Sequence, residues 1–204
     1  MNSNKGPIQL NKIGLSKGAV DFYAKIDSTF NFRLKFDWMG DFKEGFAAVK
    51  LNGKCNFINT EGKLLSRQWL DWMGAIEDGF AEVSLNGKWN FINTEGQFLS
   101  DRWFDAAWGF REGFAEVNLN GKYNFINTEG RLLSQQWFDY VGFFNEGFAE
   151  VNLNGRCNFI NAKGQFLSEQ WFTWVGDFKD GFADVKINGK RIYINTEGQL
   201  LSTR

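Results

Sequence analysis

The chain has 204 residues, a formal net charge of −1, and 43% hydrophobic and 18% aromatic residues. That length suits one sizeable domain or one array of repeats. The balanced charge excludes a basic footprint for nucleic acid, no window carries the run of about 18 apolar residues that a membrane span needs, and the absence of histidine removes the commonest general base and metal ligand along with any Ser-His or Cys-His nucleophile.

Residues 1–18, MNSNKGPIQLNKIGLSKG, lack the apolar centre of a signal peptide and read as a flexible polar leader. Residues 19–36 read as an N-terminal β-hairpin cap. Phe30, Phe32, Leu34 and Phe36 alternate with Asn31, Arg33 and Lys35, and Val20, Phe22, Ala24 and Ile26 alternate likewise with Asp21, Tyr23 and Lys25. Period-2 alternation of this kind marks half-buried strands, and Asp27–Thr29 is the expected turn between them.

Residues 37–204 are a repeat domain. A Gly-Phe pair recurs at Gly45, Gly79, Gly113, Gly147 and Gly181, a spacing of 34 residues with no insertion. An Asn-Gly pair follows at Asn52, Asn86, Asn120, Asn154 and Asn188. Regular periods of this length denote stacked supersecondary units. The region begins in mid-unit at Phe36-Asp37-Trp38-Met39-Gly40 and ends in mid-unit at Gln199–Arg204. The two ends are complementary fragments of one unit, which favours a closed, propeller-like ring, with an open β-superhelix as the alternative.

Within the unit starting at Gly113, Ala115–Leu119 is the first expected strand. Asn120-Gly121 is a two-residue turn, because both central residues need positive φ. Lys122–Asn127 is the second strand and Thr128-Glu129-Gly130 a further turn. Arg131–Ser134 is expected as a third strand, and Gln135–Gly142 as a fourth short strand or an ordered loop. The hairpin register places Ala115, Val117 and Ile126 on one face and Tyr123 and Phe125 on the other. Both faces are apolar, so each sheet needs a cover on both sides, as in stacked sheets. The frequent Gly and Asn residues disfavour helix throughout. The fold expected is therefore all-β, with five antiparallel repeat units.

At GFAEVSLNGKWNFINTEGQ the chain resembles the WG-repeat (KWG-repeat) family of bacterial proteins. Asn86-Gly87-Lys88-Trp89 matches that family's Asn-Gly-Lys-Trp, and Phe104-Asp105 stands where its Tyr-Asp would. The resemblance covers residues 36–204. The family's Trp is kept only as Trp89, with Cys55, Tyr123, Cys157 and Arg191 elsewhere. Its following Gly is replaced by Asn56, Asn90, Asn124, Asn158 and Ile192. The resemblance implies an all-β interaction module and offers no catalytic motif.

Three sets of residues are candidates for function. The first is the aromatic–carboxylate run, Trp137-Phe138-Asp139-Tyr140 and its equivalents, in which Asp71, Asp105 and Asp139 accompany Trp72, Tyr140 and Trp174 at a variable edge position. It reads either as a row of binding ledges or as inter-unit core, and the invariant Trp69, Trp103, Trp137 and Trp171 favour core. The second set is the variable column of Cys55, Trp89, Tyr123, Cys157 and Arg191. It reads as a tolerant exposed position or as a recognition row, since Trp, Tyr and Arg are hot-spot residues. The third set is the acids before each Gly-Phe, among them Glu77-Asp78, Glu112, Glu146 and Asp180, which read as solvated loop charges rather than calcium ligands.

Cys55 and Cys157 occupy the same place in non-adjacent units, so no disulfide is expected. Reduced thiols with no export sequence point to the cytoplasm. No catalytic residue, metal or cofactor is expected. The expected partner is a protein or peptide, or alternatively a glycan bound once per unit.

Overall fold

A computed structural model of the chain describes residues 10–13, 20–25 and 31–201, with side chains from Phe36 onward. Every element among them is a strand. The chain forms two compact parts, residues 1–102 and 103–204.

In the first part, β1 (Leu10–Ile13), β2 (Val20–Lys25) and β3 (Asn31–Phe36) form one antiparallel sheet. Val20 pairs with Phe36 and Lys25 with Asn31, which is the expected hairpin; its turn at Asp27–Thr29 lies outside the described residues. Leu10–Ile13 adds a third strand, with Leu10 opposite Ala24, so this stretch of the expected leader is paired. Next come the sheets of repeat 1, with β4 (Trp38–Met39), β5 (Phe46–Leu51) and β6 (Lys54–Asn59), and of repeat 2, with β7 (Trp72–Met73), β8 (Phe80–Leu85) and β9 (Lys88–Asn93).

The second part continues the series. Repeat 3 has β10 (Ala106–Ala107), β11 (Phe114–Leu119) and β12 (Lys122–Asn127). Repeat 4 has β13 (Tyr140–Val141), β14 (Phe148–Leu153) and β15 (Arg156–Asn161). Repeat 5 has β16 (Trp174–Val175), β17 (Phe182–Ile187), β18 (Lys190–Asn195) and a fourth strand, β19 (Leu200–Leu201). All sheets pair consecutive strands antiparallel, a pattern common to closed rings and open stacks.

The structural repeat therefore starts earlier than the sequence repeat. Its first strand is the tail of the aromatic run: Ala106 pairs with Asn118 and Ala107 with Val117. A tight turn then leads into the hairpin. Glu112 and Gly113 both have positive φ, 51° and 82°, and Arg111 and Phe114 exchange both backbone hydrogen bonds across them. This is a second turn of the Asn-Gly kind, where Asn120 and Gly121 have φ of 54° and 74°.

The expected third strand, Arg131–Ser134, does not form. A single bridge, Ile126 to Leu132, marks it. The reason lies in Asn124, a fully buried side chain where the resembled family has Gly. Its amide donates to Ser134 O at 2.8 Å and Gln136 O at 3.1 Å, and its oxygen accepts from Phe125 N. The side-chain oxygen thus takes the Phe125 N–H that a strand would have paired with Leu133 O, while Leu133 N still donates to Phe125 O. Asn56, Asn90 and Asn158 do the same. Where Ile192 replaces the Asn, the segment after the turn runs as β19, with Leu200 opposite Ile194.

Within each part the core lies between consecutive sheets. Phe125 and Phe138 of repeat 3 pack with Val141, Phe144, Ala149, Val151 and Ile160 of repeat 4. Phe159 and Phe172 of repeat 4 meet Val175, Phe178, Ala183, Val185 and Ile194 of repeat 5 in the same way. Phe144 stacks on Phe114 at 4.4 Å and takes Phe125 edge-on at 4.9 Å; Phe178 repeats this with Phe148 and Phe159 at 4.7 and 4.8 Å. Each fully buried Phe contributes about 2–3 kcal/mol of apolar burial, so repeats 3, 4 and 5 are held chiefly by one another. In the first part Phe36, Met39, Ala47, Val49 and Ile58 form the equivalent cluster.

Candidate functional site

The hairpin register sets the chemistry of the two sheet faces. Glu116 lies opposite Phe125, and Asn118 opposite Tyr123 and beside Ala106. Val117 lies opposite Asn124 and Ala115 opposite Ile126, on the other face. The first face therefore carries the short-strand residue, an acid, a buried Phe and the variable column. It holds the candidate site.

The short-strand position presents Trp38, Trp72, Tyr140 and Trp174. With Trp108, these rings are 37–50% exposed. Each Trp at this position lies over the glycine two residues on. A Cβ on Gly40, Gly74 or Gly176 would stand 2.9, 3.3 or 3.0 Å from the Cη2 of its Trp. Repeat 3 reverses the arrangement: Ala106 takes the ring position and Trp108 the glycine position. Its ring faces Tyr123 at 6.2 Å, as Trp72 faces Trp89 at 5.1 Å. The expected edge position of Trp72, Tyr140 and Trp174 is thus an exposed one.

The variable column is not uniformly exposed. Cys55 and Cys157 are buried free thiols, Trp89 and Tyr123 are half-buried, and Arg191 is exposed. Small residues sit under the cover of the next sheet, whereas longer ones reach outward beside the rings. Burial pushes the Cys157 thiol up, which leaves it protonated and unreactive.

Asp71, Asp105 and Asp139 serve the fold. Each accepts the backbone N–H of the hairpin-turn asparagine in its own repeat at 2.6 Å, from Asn86, Asn120 and Asn154 respectively. Asp37 does so for Asn52. Lys54 and Lys122 of the preceding repeats donate to Asp71 and Asp139. The Lys hydrogen bond, then the turn amide, holds both carboxyls below the usual range. Repeat 5 has Thr173 there, donating to Lys186 O. Trp69, Trp103, Trp137 and Trp171 are half-buried, and the next residue, Leu70, Phe104, Phe138 or Phe172, is the one fully enclosed.

The turn acids are also more than solvated charges. Glu112 accepts the amides of Glu146 and Gly147 in the next repeat at 3.2 and 2.9 Å. Glu146 accepts those of Asp180 and Gly181, both at 2.9 Å. Two successive positive-φ residues aim their N–H groups to one side, which makes a carboxylate seat.

Sequence reasoning passed over one set of residues: Glu82, Glu116, Glu150 and Asp184, on the ring-bearing face. Their trace in the sequence is the acid alternating with Ala and Val in Gly-Phe-Ala-Glu-Val, which is also how any solvated strand residue looks. Here they are partly covered. Burial raises Glu82 and Glu150, and lifts Glu116 to about 7. In repeat 4, Tyr140, Phe143, Glu150, Phe159 and Asp177 line a cavity of about 290 Å³, with Arg111 at its rim. In repeat 1 the acid is replaced by Ala48, and the corresponding cavity of about 490 Å³ is walled by Trp38, Phe57, Trp72 and Ile76.

The model of the WG containing repeat matches the chain five times, over residues 26–55, 57–89, 91–123, 125–157 and 159–190. No curated protein matches it in sequence. Among solved structures the chain is similar to KlHsv2 carrying a Gly-Ser linker in place of loop 6CD, at 10% identity and TM-score 0.41, covering 77% of this chain and 61% of that one. It is also similar to the Pan2 WD40 domain of Neurospora crassa, at 12% identity, TM-score 0.33 and coverage of 98% and 80%. A protein of unknown function from Bacteroides caccae matches at 14% identity, TM-score 0.26 and coverage of 97% and 94%.

Proposed function

The chain belongs to the family of WG-containing repeats, and from that membership we propose that it is a non-catalytic interaction module that binds a protein or peptide through the ring-bearing faces of its repeats. The observation that carries this reading is the exposed aromatic residue in every repeat, Trp38, Trp72, Trp108, Tyr140 and Trp174. Exposed Trp and Tyr give large contact area at low entropy cost. Repetition adds avidity, so that weak single contacts suffice. A glycan reading would set an aspartate beside each ring, but the carboxylates of Asp71, Asp105 and Asp139 are held by turn amides. The peptide reading is therefore favoured.

The test is an immobilised array of random peptides probed with the purified chain, followed by titration of the hits. Replacing Trp72, Tyr140 and Trp174 together by Ser should remove binding while leaving the unfolding free energy within about 1 kcal/mol of the parent. An array with no hits, or hits that the triple variant binds unchanged, would refute the reading.

A further inference from the structure

Repeat 5 contains its own ligand-like contact. Arg191 Nε and Nη2 donate to the two oxygens of Asp184 at 2.9 and 2.7 Å. The same guanidinium lies over the Trp174 ring, 5.4 Å from its centroid. A forked ion pair combined with a stacked cation is how proteins grip an arginine side chain.

The acid recurs as Glu82, Glu116 and Glu150, but the cation does not. The residues at the place of Arg191 are Trp89, Tyr123 and Cys157. Among the described residues no cation pairs with any of the three glutamates. Each still has an exposed ring in its own repeat, Trp72, Trp108 or Tyr140. Repeats 2 and 4 keep the cradle of repeat 5, while in repeat 3 the ring is Trp108 at the glycine position, its backbone N–H donating to Glu116 O at 3.0 Å. A Cβ on Gly176 would meet Trp174 and the Asp184 Cβ at 3.0 and 3.7 Å. One on Gly74 would meet Trp72 and the Glu82 Cβ at 3.3 and 3.9 Å, and one on Gly142 the Glu150 Cβ and Tyr140 Oη at 3.4 and 3.9 Å.

We propose that Glu82, Glu116 and Glu150, each with the aromatic ring beside it, bind arginine side chains of a partner peptide, in the arrangement that Arg191 makes with Asp184 and Trp174. The proposal rests on the peptide-binding reading and supplies the chemistry of the partner. Repeat 4 shows the space. Its cavity of about 290 Å³ opens onto two carboxylates, Glu150 and Asp177, between Tyr140 and Phe143. Arg111 lies over Phe143 at its rim, 5.7 Å from the centroid, and pairs with neither. A half-buried carboxylate without a counter-charge gains most from an incoming cation, because the cost of its burial is already met in the free protein. Repeat 1 is the natural exception. It has Ala48 in place of the acid, and its own Lys50 lies 5.7 Å over the Trp38 ring.

The experiment is isothermal titration of the full chain with a glycine-spaced triarginine peptide and with its citrulline counterpart, which keeps shape and loses charge. The arginine peptide should bind at least about tenfold more tightly, as charge-assisted hydrogen bonds do over neutral ones. Replacing Glu82, Glu116 and Glu150 together by Gln should remove that preference. Replacing Glu61, Glu95 and Glu129, exposed turn acids of equal charge, should change affinity by no more than about twofold. Tyr123→Arg, which gives repeat 3 the cation of repeat 5, should lower the number of arginines bound by one. Equal binding of the arginine and citrulline peptides overturns the proposal, as does equal damage from the two sets of Gln substitutions. If neutral peptides from the array bind the Glu82/Glu116/Glu150 Gln variant as well as the parent, the arginine slots fall and the ring-based reading stands. If no peptide binds, both fall.

Discussion

Asn90 and Ser100 exchange two hydrogen bonds: the Asn90 amide donates to Ser100 O at 2.8 Å, and its oxygen accepts from Ser100 N at 3.3 Å. Asn90 also receives Phe91 N and reaches Arg102 O. One fully buried side chain therefore fixes both ends of a loop that lacks strand pairing.

Asn90→Ala should cost about 1–3 kcal/mol for each buried partner left unsatisfied. Chemical denaturation of the variant and parent checks this. A change under about 0.5 kcal/mol would mean that water replaces the amide.

Two turn glycines of repeat 2 tolerate substitution very unevenly. Gly96 has φ of 80°, and a Cβ there would stand 2.1 Å from Leu65 O. Gly87 has φ of 74° with nothing within 4 Å. Gly87→Ala should therefore cost only the left-handed strain of about 1–2 kcal/mol. Gly96→Ala must in addition push repeat 1 and repeat 2 apart and should lower the melting temperature well beyond the Gly87 variant.

Glu116 gives the chain a dependence on pH of definite sign. Burial raises its folded carboxyl to about 7, above the ordinary range it regains on unfolding. The folded state thus holds the proton more tightly. The stability this gives is complete at pH below that ordinary range and is lost as pH rises through about 7. Glu116→Gln should flatten the urea midpoint across that window and raise it relative to the parent at pH 8. A parallel shift at every pH would contradict the assignment.

Ala106 and Trp108 should behave as a coupled pair. Ala106→Trp alone places a second ring where Trp108 already stands and should destabilise. Together with Trp108→Gly it restores the pattern of the other repeats. The double variant should recover about 0.5–3 kcal/mol of coupling, read from a double-mutant cycle.

These cases show what the sequence carried openly. Asn120-Gly121 was readable because its demand for positive φ falls on two adjacent residues. The two faces were readable because Ala115, Val117 and Ile126 obey a period of two. The absent strand at Arg131–Ser134 was not readable: it depends on the Asn124 side chain outcompeting backbone pairing, and a polar residue in an apolar strand does not announce its partner ten residues on. Asp139 was read beside Tyr140, its neighbour in sequence, whereas its bond is to Asn154, 15 residues away. Glu116 was hidden for the opposite reason. It occupies an ordinary polar place in an alternating strand, and only the register with Phe125 and the adjacent rings makes it a partly covered acid.

The carboxylate that Glu112 lends to the turn at Glu146 and Gly147, and that Glu146 lends to Asp180 and Gly181, passes in one direction through repeats 3, 4 and 5. This run of repeats consequently has a head and a tail at the level of its hydrogen bonds. A unit copied within the run would inherit an acceptor from its predecessor and supply one to its successor, so duplication there would leave its turn served. Losing or gaining part of a unit breaks that succession. Within that run, insertion of a whole period keeps the succession and insertion of part of one does not.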